Sequence, residues 1–269
     1  MAPTVLVTGA SSGIGEAVAR RFLAAGWNVA AGMRTPARSP LDPATPGLAV
    51  LAMDVTDDAS VDAAVAAAEA RFGAIDVLVN NAGYALLGPL EGLTRAQLRR
   101  QFDTNLLGLV AVTQSVLPGM RARGSGVIVN IASIGGRMAF PFTSAYHATK
   151  FAVEGLSESV RFELAPHGIR VKVVEPGPIR TNFLGGSADW ASHDAYAARL
   201  AGFRRMSEAL NATLPTPDRV ARTVFRAATD GSGRLRYPSA PGPFPLLHRI
   251  LPDAIWRRLI AFELARRSR

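Results

Sequence analysis

Short apolar runs alternate with longer amphipathic stretches along the N-terminal two thirds of the chain. Val5-Leu6-Val7 predicts a short buried strand. Gly13 to Ala25 carries helical spacing, with Val18, Phe22 and Leu23 on one side, and Gly26 ends it. Trp27 to Gly32 reads as a second strand, followed by a proline-rich turn from Thr35 to Gly47. Leu48 to Met53 is a third strand, Ala59 to Phe72 an alanine-rich helix, and Ile75 to Val79 a fourth strand. Helical stretches at Thr94 to Phe102 and Thr104 to Arg121 precede a strand from Gly126 to Ile131. A helix from Ser144 to Leu164 stops near Pro166, and Ile169 to Val174 is another strand. The strand runs are continuously apolar rather than alternating, the mark of strands buried on both faces in a parallel sheet. Strands alternating with helices over the chain predict a doubly wound α/β fold in three α/β/α layers.

The rhythm breaks after Asn182. The segment from 182 to 215 shows no strand pattern and holds Phe183, Trp190, Tyr196, Phe203 and Met206, so it reads as a lid laid over a site. Thr216 to Thr229 returns to helical spacing with a Thr-Pro start, and Arg234 to Tyr237 reads as a last strand. A proline-rich linker, Pro238 to Pro245, leads to a tail at 246–269. There Trp256, Leu259, Ile260 and Leu264 form one stripe, with Arg257, Arg258, Arg266 and Arg267 around it. A basic amphipathic helix can lie on a membrane surface, cover a pocket or pack on a partner subunit. The expectation is one domain spanning all 269 residues.

Composition narrows the function classes. Cysteine is absent, which removes disulfides and thiolate metal sites, and no metal is expected. No apolar stretch of spanning length and no secretion signal is recognised, so the cytoplasm is the expected location. The net charge of +9 would suit a nucleic acid. The arginines are scattered, however, and no nucleic-acid-binding signature accompanies them, so none is expected as a partner.

Gly9, Gly13 and Gly15 stand between the first strand and the first helix. Glycines there let the backbone approach a pyrophosphate at the helix N-terminus. Such turns also arise for purely steric reasons. An acid at the end of the second strand would bond the ribose hydroxyl of NAD; this chain has Met33-Arg34 instead. Arg34, with Arg38 nearby, can meet the 2′-phosphate of NADP in a bidentate way, or can be an ordinary solvated loop arginine. NADP is therefore the expected cofactor, ahead of NAD.

Of thirty basic residues only two are lysine, Lys150 and Lys172. Lys150 follows Tyr146 by four positions, so the two share a helix face. Ser133 lies just past the C-terminal end of a strand, the edge where open α/β sheets bind ligands. Hydride transfer to a carbonyl needs a proton donor at oxygen, and a tyrosine with a pKa of about 10 serves better if a nearby ammonium lowers it. Arginine, planar and bulkier, is a poor substitute for that compact charge.

On these residues the chain resembles the short-chain dehydrogenase/reductase family. The motifs are Thr8-Gly9-Ala10-Ser11-Ser12-Gly13-Ile14-Gly15, Asn80-Asn81-Ala82-Gly83, Asn105, Ser133 with Tyr146 and Lys150, and Pro176-Gly177-Pro178-Ile179-Arg180-Thr181. The resemblance covers 4–181 and implies a Rossmann-type fold. It implies that Tyr146 is the general acid/base, that Ser133 steadies the substrate oxygen, and that Lys150 binds the nicotinamide ribose and tunes Tyr146. Asn105 would hold a relay water. Ser11, Ser12 and Ile14 belong to the cofactor loop. Asp54 and Val55 would flank the adenine, Asn81, Ala82 and Gly83 would line the cleft, and Pro176, Gly177, Ile179 and Thr181 would meet the nicotinamide end. Blander roles stay open: Asn105 as a helix kink, Asp54 as the start of a turn, Pro176-Gly177-Pro178 as a strand terminator.

The resemblance also implies a homodimer or homotetramer through 104–121 and the helix bearing Tyr146. Around the expected pocket stand Tyr84, Leu86, Leu87, Ile134, Phe140, Phe142, Phe183 and Trp190, mostly apolar, with Arg137 the exception. They point to a bulky hydrophobic ketone or secondary alcohol, unless they merely pack the lid. Three rivals remain: epimerase or dehydratase chemistry, a non-catalytic NADP sensor, and a peripheral membrane protein using the basic tail.

Overall fold

A computed structural model describes residues 2–181, 188–211 and 213–267. Phe183, Leu264's side chain and the side chains of Arg266 and Arg267 lie outside what it describes. The strands are β1 (Thr4–Thr8), β2 (Asn28–Met33), β3 (Leu48–Ala52), β4 (Val77–Asn80), β5 (Leu86–Leu87), β6 (Gly126–Ile131), β7 (Ile169–Pro176), β8 (Asp189–Trp190) and β9 (Arg236–Ser239). The helices are α1 (Gly13–Ala24), α2 (Asp58–Phe72), α3 (Arg95–Phe102), α4 (Gly108–Arg123), α5 (Ser144–Leu164), α6 (Ala197–Asn211), α7 (Pro217–Thr229), α8 (Phe244–Ile250) and α9 (Asp253–Arg267).

Seven strands form one sheet in the order β3-β2-β1-β4-β6-β7-β9, every pairing parallel. This is the Rossmann-type three-layer α/β/α fold. Period-2 alternation divides each strand between two cores. Val5, Val7, Val29, Val77, Val79, Val127 and Val129 face α1 and α7. Leu6, Ala30, Leu78, Ile128, Val171 and Val173 face α2, α4 and α5. Each buried side chain of this size contributes roughly 1.5–3 kcal/mol, and both faces of the central strands β1, β4 and β6 are filled. The chain leaves β1 toward β2 and β3, then returns to build β4, β6 and β7 on the other side. The crevice outside the C-terminal ends of β1 and β4 is therefore the switch point where such sheets bind ligands.

Three local departures from the expected pattern matter. Helices α3 and α4 are one helical rod with a π turn, Asp103–Leu107, between them, where Gly108 N–H bonds Asp103 O. A capping box, Thr94 with Gln97, starts it. The segment expected to lack strands contains β8, which pairs with β5, and α6. Two residues are too few to show a period, whereas Leu200, Phe203 and Ser207 do give α6 a buried stripe. The last strand is Arg236–Ser239, two residues beyond the expected Arg234 to Tyr237.

Candidate active site

The glycine turn between β1 and α1 is closed by the segment that follows β4. Thr8 Oγ1 accepts from Asn81 N and Ala82 N, at 3.0 and 2.9 Å. Asn81 Nδ2 donates to Thr8 O and Gly9 O, at 2.9 and 3.1 Å. A Cβ on Gly15 would lie 2.2 Å from Gly9 O and 2.5 Å from Asn81 Nδ2, so only glycine fits. Gly9 and Gly13 have φ of 66° and 58°, in the left-handed region. Ser12, the N-cap of α1, makes no side-chain cap bond. The first N–H groups of the helix, beside Ser11, Ser12, Gly13 and Ile14, therefore face the crevice as anion donors. The cradle fits a dinucleotide pyrophosphate.

At the neighbouring strand end, Arg34 is exposed immediately after β2. Asp54 follows β3, and its carboxyl is held below the usual range, chiefly by the Thr56 N–H, with Arg34 adding a smaller pull. Its Oδ1 accepts from Thr56 N and Thr56 Oγ1, so Asp54 does build the turn before α2. Val55 is packed against Gly108, where a Cβ would come within 2.7 Å of its Cγ2. Across the crevice, Gly177 N–H bonds Ser239 O at 2.9 Å, and a Cβ there would strike Ala240 O. Ile179 packs on the core under α1, and Thr181 lies beside Gly13, whose added Cβ would be 3.5 Å from Thr181 Cγ2. Thus the residues expected to meet a cofactor, from Gly9 to Thr181, lie at or just beyond the C-terminal ends of the sheet strands.

The chemistry-bearing group stands at its far end. Ser133 follows β6, and its Oγ accepts from Gly135 N at 3.0 Å and reaches Pro176 O at 3.5 Å. It also hydrogen-bonds the Tyr146 hydroxyl. Lys150 lies one turn beyond Tyr146 on α5, buried, its Nζ 5.8 Å from the Tyr146 ring centre and donating to Ile131 O at 2.7 Å. Here the expectation that the lysine lowers the tyrosine pKa is not met in the protein alone. Burial pushes Tyr146 up to about 12, and the Ser133 bond only partly opposes it. Burial also pushes Lys150 down to about 8, against the pull of Glu154.

Asn105, in the π turn, has its side chain fully engaged. Oδ1 accepts from Tyr84 N at 3.0 Å, and Nδ2 donates to Tyr84 O at 2.9 Å and to Thr149 Oγ1 at 3.3 Å. Thr149 in turn donates to the Tyr146 carbonyl at 2.7 Å. Asn105 therefore locks α5 to the segment after β4. Gly83 is small for the same reason, since a Cβ would sit 3.1 Å from Asn105 Oδ1.

Residues that motif reading passed over complete the site. His147 is buried and held neutral, its pKa pushed down to about 4 by burial. Its Nδ1 accepts from Phe140 N at 3.2 Å and contacts Thr143 Oγ1 at the same distance, pinning the loop that carries the expected pocket residues. Glu154, a turn beyond Lys150, is raised to about 7 by burial and then by Glu175, with Arg236 and Arg137 working against it. The signal for both was spacing: His147, Lys150, Glu154 and Ser157 fall three or four apart on one buried face of α5.

The apolar residues expected around a pocket divide into groups. Leu86 and Leu87 are buried in the small sheet under β8. Tyr84 is raised by burial, beside Arg100. Phe142 and Trp190 both meet Phe203 of α6, at 5.7 and 6.2 Å between ring centres. Ile134 and Met138 pack on Trp256 of α9, and Phe140 lies 6.2 Å from the Trp256 ring. The tail thus covers the loop that follows Ser133. Arg137 reaches away from this apolar group to Glu175 at 3.4 Å. Among the described residues no cluster of three metal-ligating side chains occurs, and no helix is long and apolar enough to cross a membrane.

The family model for short chain dehydrogenase matches residues 3–192. An uncharacterised oxidoreductase of Schizosaccharomyces pombe is 36% identical over 210 residues, covering 77% of this chain and 88% of that protein. The uncharacterised oxidoreductase YusZ of Bacillus subtilis is 34% identical, covering 96% and 97%. Human retinol dehydrogenase 8 is 41% identical over 68% of this chain and 60% of its own. Among solved structures, a short-chain dehydrogenase from Streptomyces avermitilis has a TM-score of 0.83 at 37% identity, covering 100% of this chain and 98% of that one. ElxO with NADP bound scores 0.75 at 28% identity, over 91% and 100%. A 3-ketoacyl-(acyl-carrier-protein) reductase from Brucella melitensis complexed with NADH scores 0.76 at 28%, over 89% and 97%.

Proposed function

The chain belongs to the short chain dehydrogenase family of oxidoreductases, and from that premise we propose an NADP(H)-dependent enzyme that interconverts a bulky hydrophobic carbonyl and its secondary alcohol. The observation that carries this reading is the Ser133–Tyr146 hydroxyl bond, set above buried Lys150 at the end of a crevice whose other end is a glycine cradle.

A nicotinamide bound in the crevice supplies or accepts the hydride. Gly9, Gly13 and Gly15, with Ser11, Ser12 and Ile14, hold the pyrophosphate, and Arg34 takes the 2′-phosphate. Asp54 and Val55 flank the adenine side; Asn81, Ala82 and Gly83 with Pro176, Gly177, Ile179 and Thr181 wall the nicotinamide side. Ser133 donates to the substrate oxygen and orients it. Tyr146 gives that oxygen a proton in reduction and removes one in oxidation. With Tyr146 raised to about 12, the protein alone holds the proton at neutral pH, which suits reduction. Lys150 carries a positive charge below about pH 8 and supports both the ribose and the transient tyrosinate. Asn105's side chain is committed to Tyr84 and Thr149, so a relay water would be held by the main chain of the π turn, where the helical ladder is broken.

NADP is favoured over NAD because an arginine, and no acid, follows β2; the NADP-bound neighbour ElxO agrees, while an NADH-bound neighbour shows that the fold admits both. The hydrophobic substrate rests on Phe142, Trp190, Phe203, Phe140 and Trp256 around the loop after Ser133, and on a relative named for retinol. The whole chain works as one catalytic unit in the cytoplasm, as a homodimer or homotetramer. Fluorescence titration with NADPH and NADH, followed by absorbance assays on a panel of apolar ketones, tests the reading. Tighter NADPH binding with turnover of an apolar ketone is the expected result. Binding without turnover across the panel would favour the sensor, and preference for small charged ketones would remove the hydrophobic-substrate reading.

A further inference from the structure

Nine large apolar side chains are well exposed among the described residues, and five of them lie between 246 and 262. The other four are Leu90, Leu107, Phe151 and Phe162. Leu107, Phe151 and Phe162 sit on the π turn and α5, where the family-type dimer would bury them. The terminal group has no such explanation.

Helices α8 and α9 are two-faced. On α9, Trp256 and Ile260 are four apart and face the active-site loop, with Ile134 and Met138. Ile255, Leu259 and Phe262 fall at i, i+4 and i+7, a second stripe on the outer side. On α8, Leu247 packs inward with Leu251, whereas Leu246 and Ile250, also four apart, are more than 60% exposed. The two outer stripes would be a liability in water. The chemistry around them is basic. Residues 246–269 contain six arginines against Asp253 and Glu263, a net charge of +4 from 6 − 2. Arg258 precedes Phe262 by one turn, and Arg249 adjoins Ile250, both exposed beside the apolar stripes. Arginine stems lie along apolar surface while their heads reach for anions.

We propose that the outer face of α8 and α9 docks on an anionic lipid bilayer, with Leu246, Ile250, Ile255, Leu259 and Phe262 in the headgroup–acyl boundary and Arg249 and Arg258 on lipid phosphates. The inner face carries Trp256 on the loop that follows Ser133, so docking holds the substrate end of the cleft at the lipid surface. Docking itself does not depend on the enzyme reading. Delivery of an apolar substrate from the lipid does rest on it.

The test is flotation of the full chain with vesicles of phosphatidylcholine mixed with phosphatidylglycerol, with pure phosphatidylcholine as reference. The expected result is flotation on the mixed vesicles that falls with added salt. Ile250→Ser with Phe262→Ser weakens partitioning by about a hundredfold, from two lost apolar side chains. Arg249→Gln with Arg258→Gln weakens it by about thirtyfold on the mixed vesicles and little on the neutral ones. Both variants keep the parent Tm and NADPH affinity, which shows that folding is intact; should the apolar pair melt early, the arginine pair carries the test. Failure of the full chain to float on mixed vesicles overturns the proposal. So does a parent that ignores vesicles while Ile250→Ser with Phe262→Ser lowers its sedimentation mass, because a second copy then covers the face. Loss of NADPH binding in the parent itself would instead strike the enzyme reading and leave docking to be judged by flotation.

Discussion

The cofactor half and the substrate half of this cleft are built in opposite ways. In the first, contacts run to the backbone and glycine leaves no spare volume: Gly15 sits against Gly9 O, and the Asn81 side chain ties the turn to the segment after β4. In the second, contacts are ring to ring across Phe142, Phe203, Trp190, Phe140 and Trp256, drawn from four separate segments. Backbone cradles tolerate almost no change in the residues that form them. Aromatic clusters can be repacked at modest cost, so substrate choice can drift while the chemistry stays.

Breaking the first half should have the largest effect. Gly15→Ala puts a Cβ on Gly9 O, and overpacking of this kind costs about 1–3 kcal/mol of stability besides the cofactor site. The expected outcome is loss of NADPH binding by titration and a lowered Tm. Arg34→Glu comes next. Replacing a charge-assisted phosphate contact by an acid shifts the NADPH-to-NADH affinity ratio by about ten- to a hundredfold toward NADH, measured by the same titrations. In the second half, Trp256→Ala removes a docked ring worth about 3–5 kcal/mol where fully buried. Because α9 lies outside the two main cores, the expected result is a several-fold higher KM for a bulky ketone with little change in global Tm. A circular-dichroism melt and steady-state kinetics check it.

The smallest effect sharpens the boundary between the halves. Glu154's folded pKa of about 7 lies above its usual 4.5. The native state then binds more protons than the unfolded chain between those values, so this group's contribution falls as pH rises through that window. His147, lowered to about 4 from 6.5, acts in the opposite sense, its contribution falling as pH drops from 6.5 toward 4. The difference in Tm between parent and Glu154→Gln isolates the first: it should move in the variant's favour from pH 4.5 to 7 and be level above that. A difference that does not change with pH would show that Glu154 is ionised throughout.

The same contrast explains what could be read from sequence. The sheet, the glycine turn and the Tyr146–Lys150 pair were legible because each is written in a short spacing, and the structure places the turn between β1 and α1 and the pair on one helix. The bounds of β6 and α5 agree with the residue pattern to the residue. The substrate half was not, because β5 and β8 are two residues each and pair across about a hundred positions, and because His147 and Trp256 act on the same loop from distant helices. The direction of Tyr146's shift was not legible either. Adjacency to Lys150 was visible, but the burial that outweighs it was not. Asn105 stands in a recognisable motif position, yet its use as a clamp on Tyr84 depends on a π turn that no periodicity discloses.

The most direct test of the central claim is Tyr146→Phe, which keeps the ring and removes only the proton donor. NADPH affinity by fluorescence and turnover of an apolar ketone by absorbance would be measured on the same preparation. The account predicts affinity within a few-fold of the parent and a fall in kcat of about 10²–10⁴. Turnover persisting near the parent rate would contradict it, because the proton would then come from elsewhere.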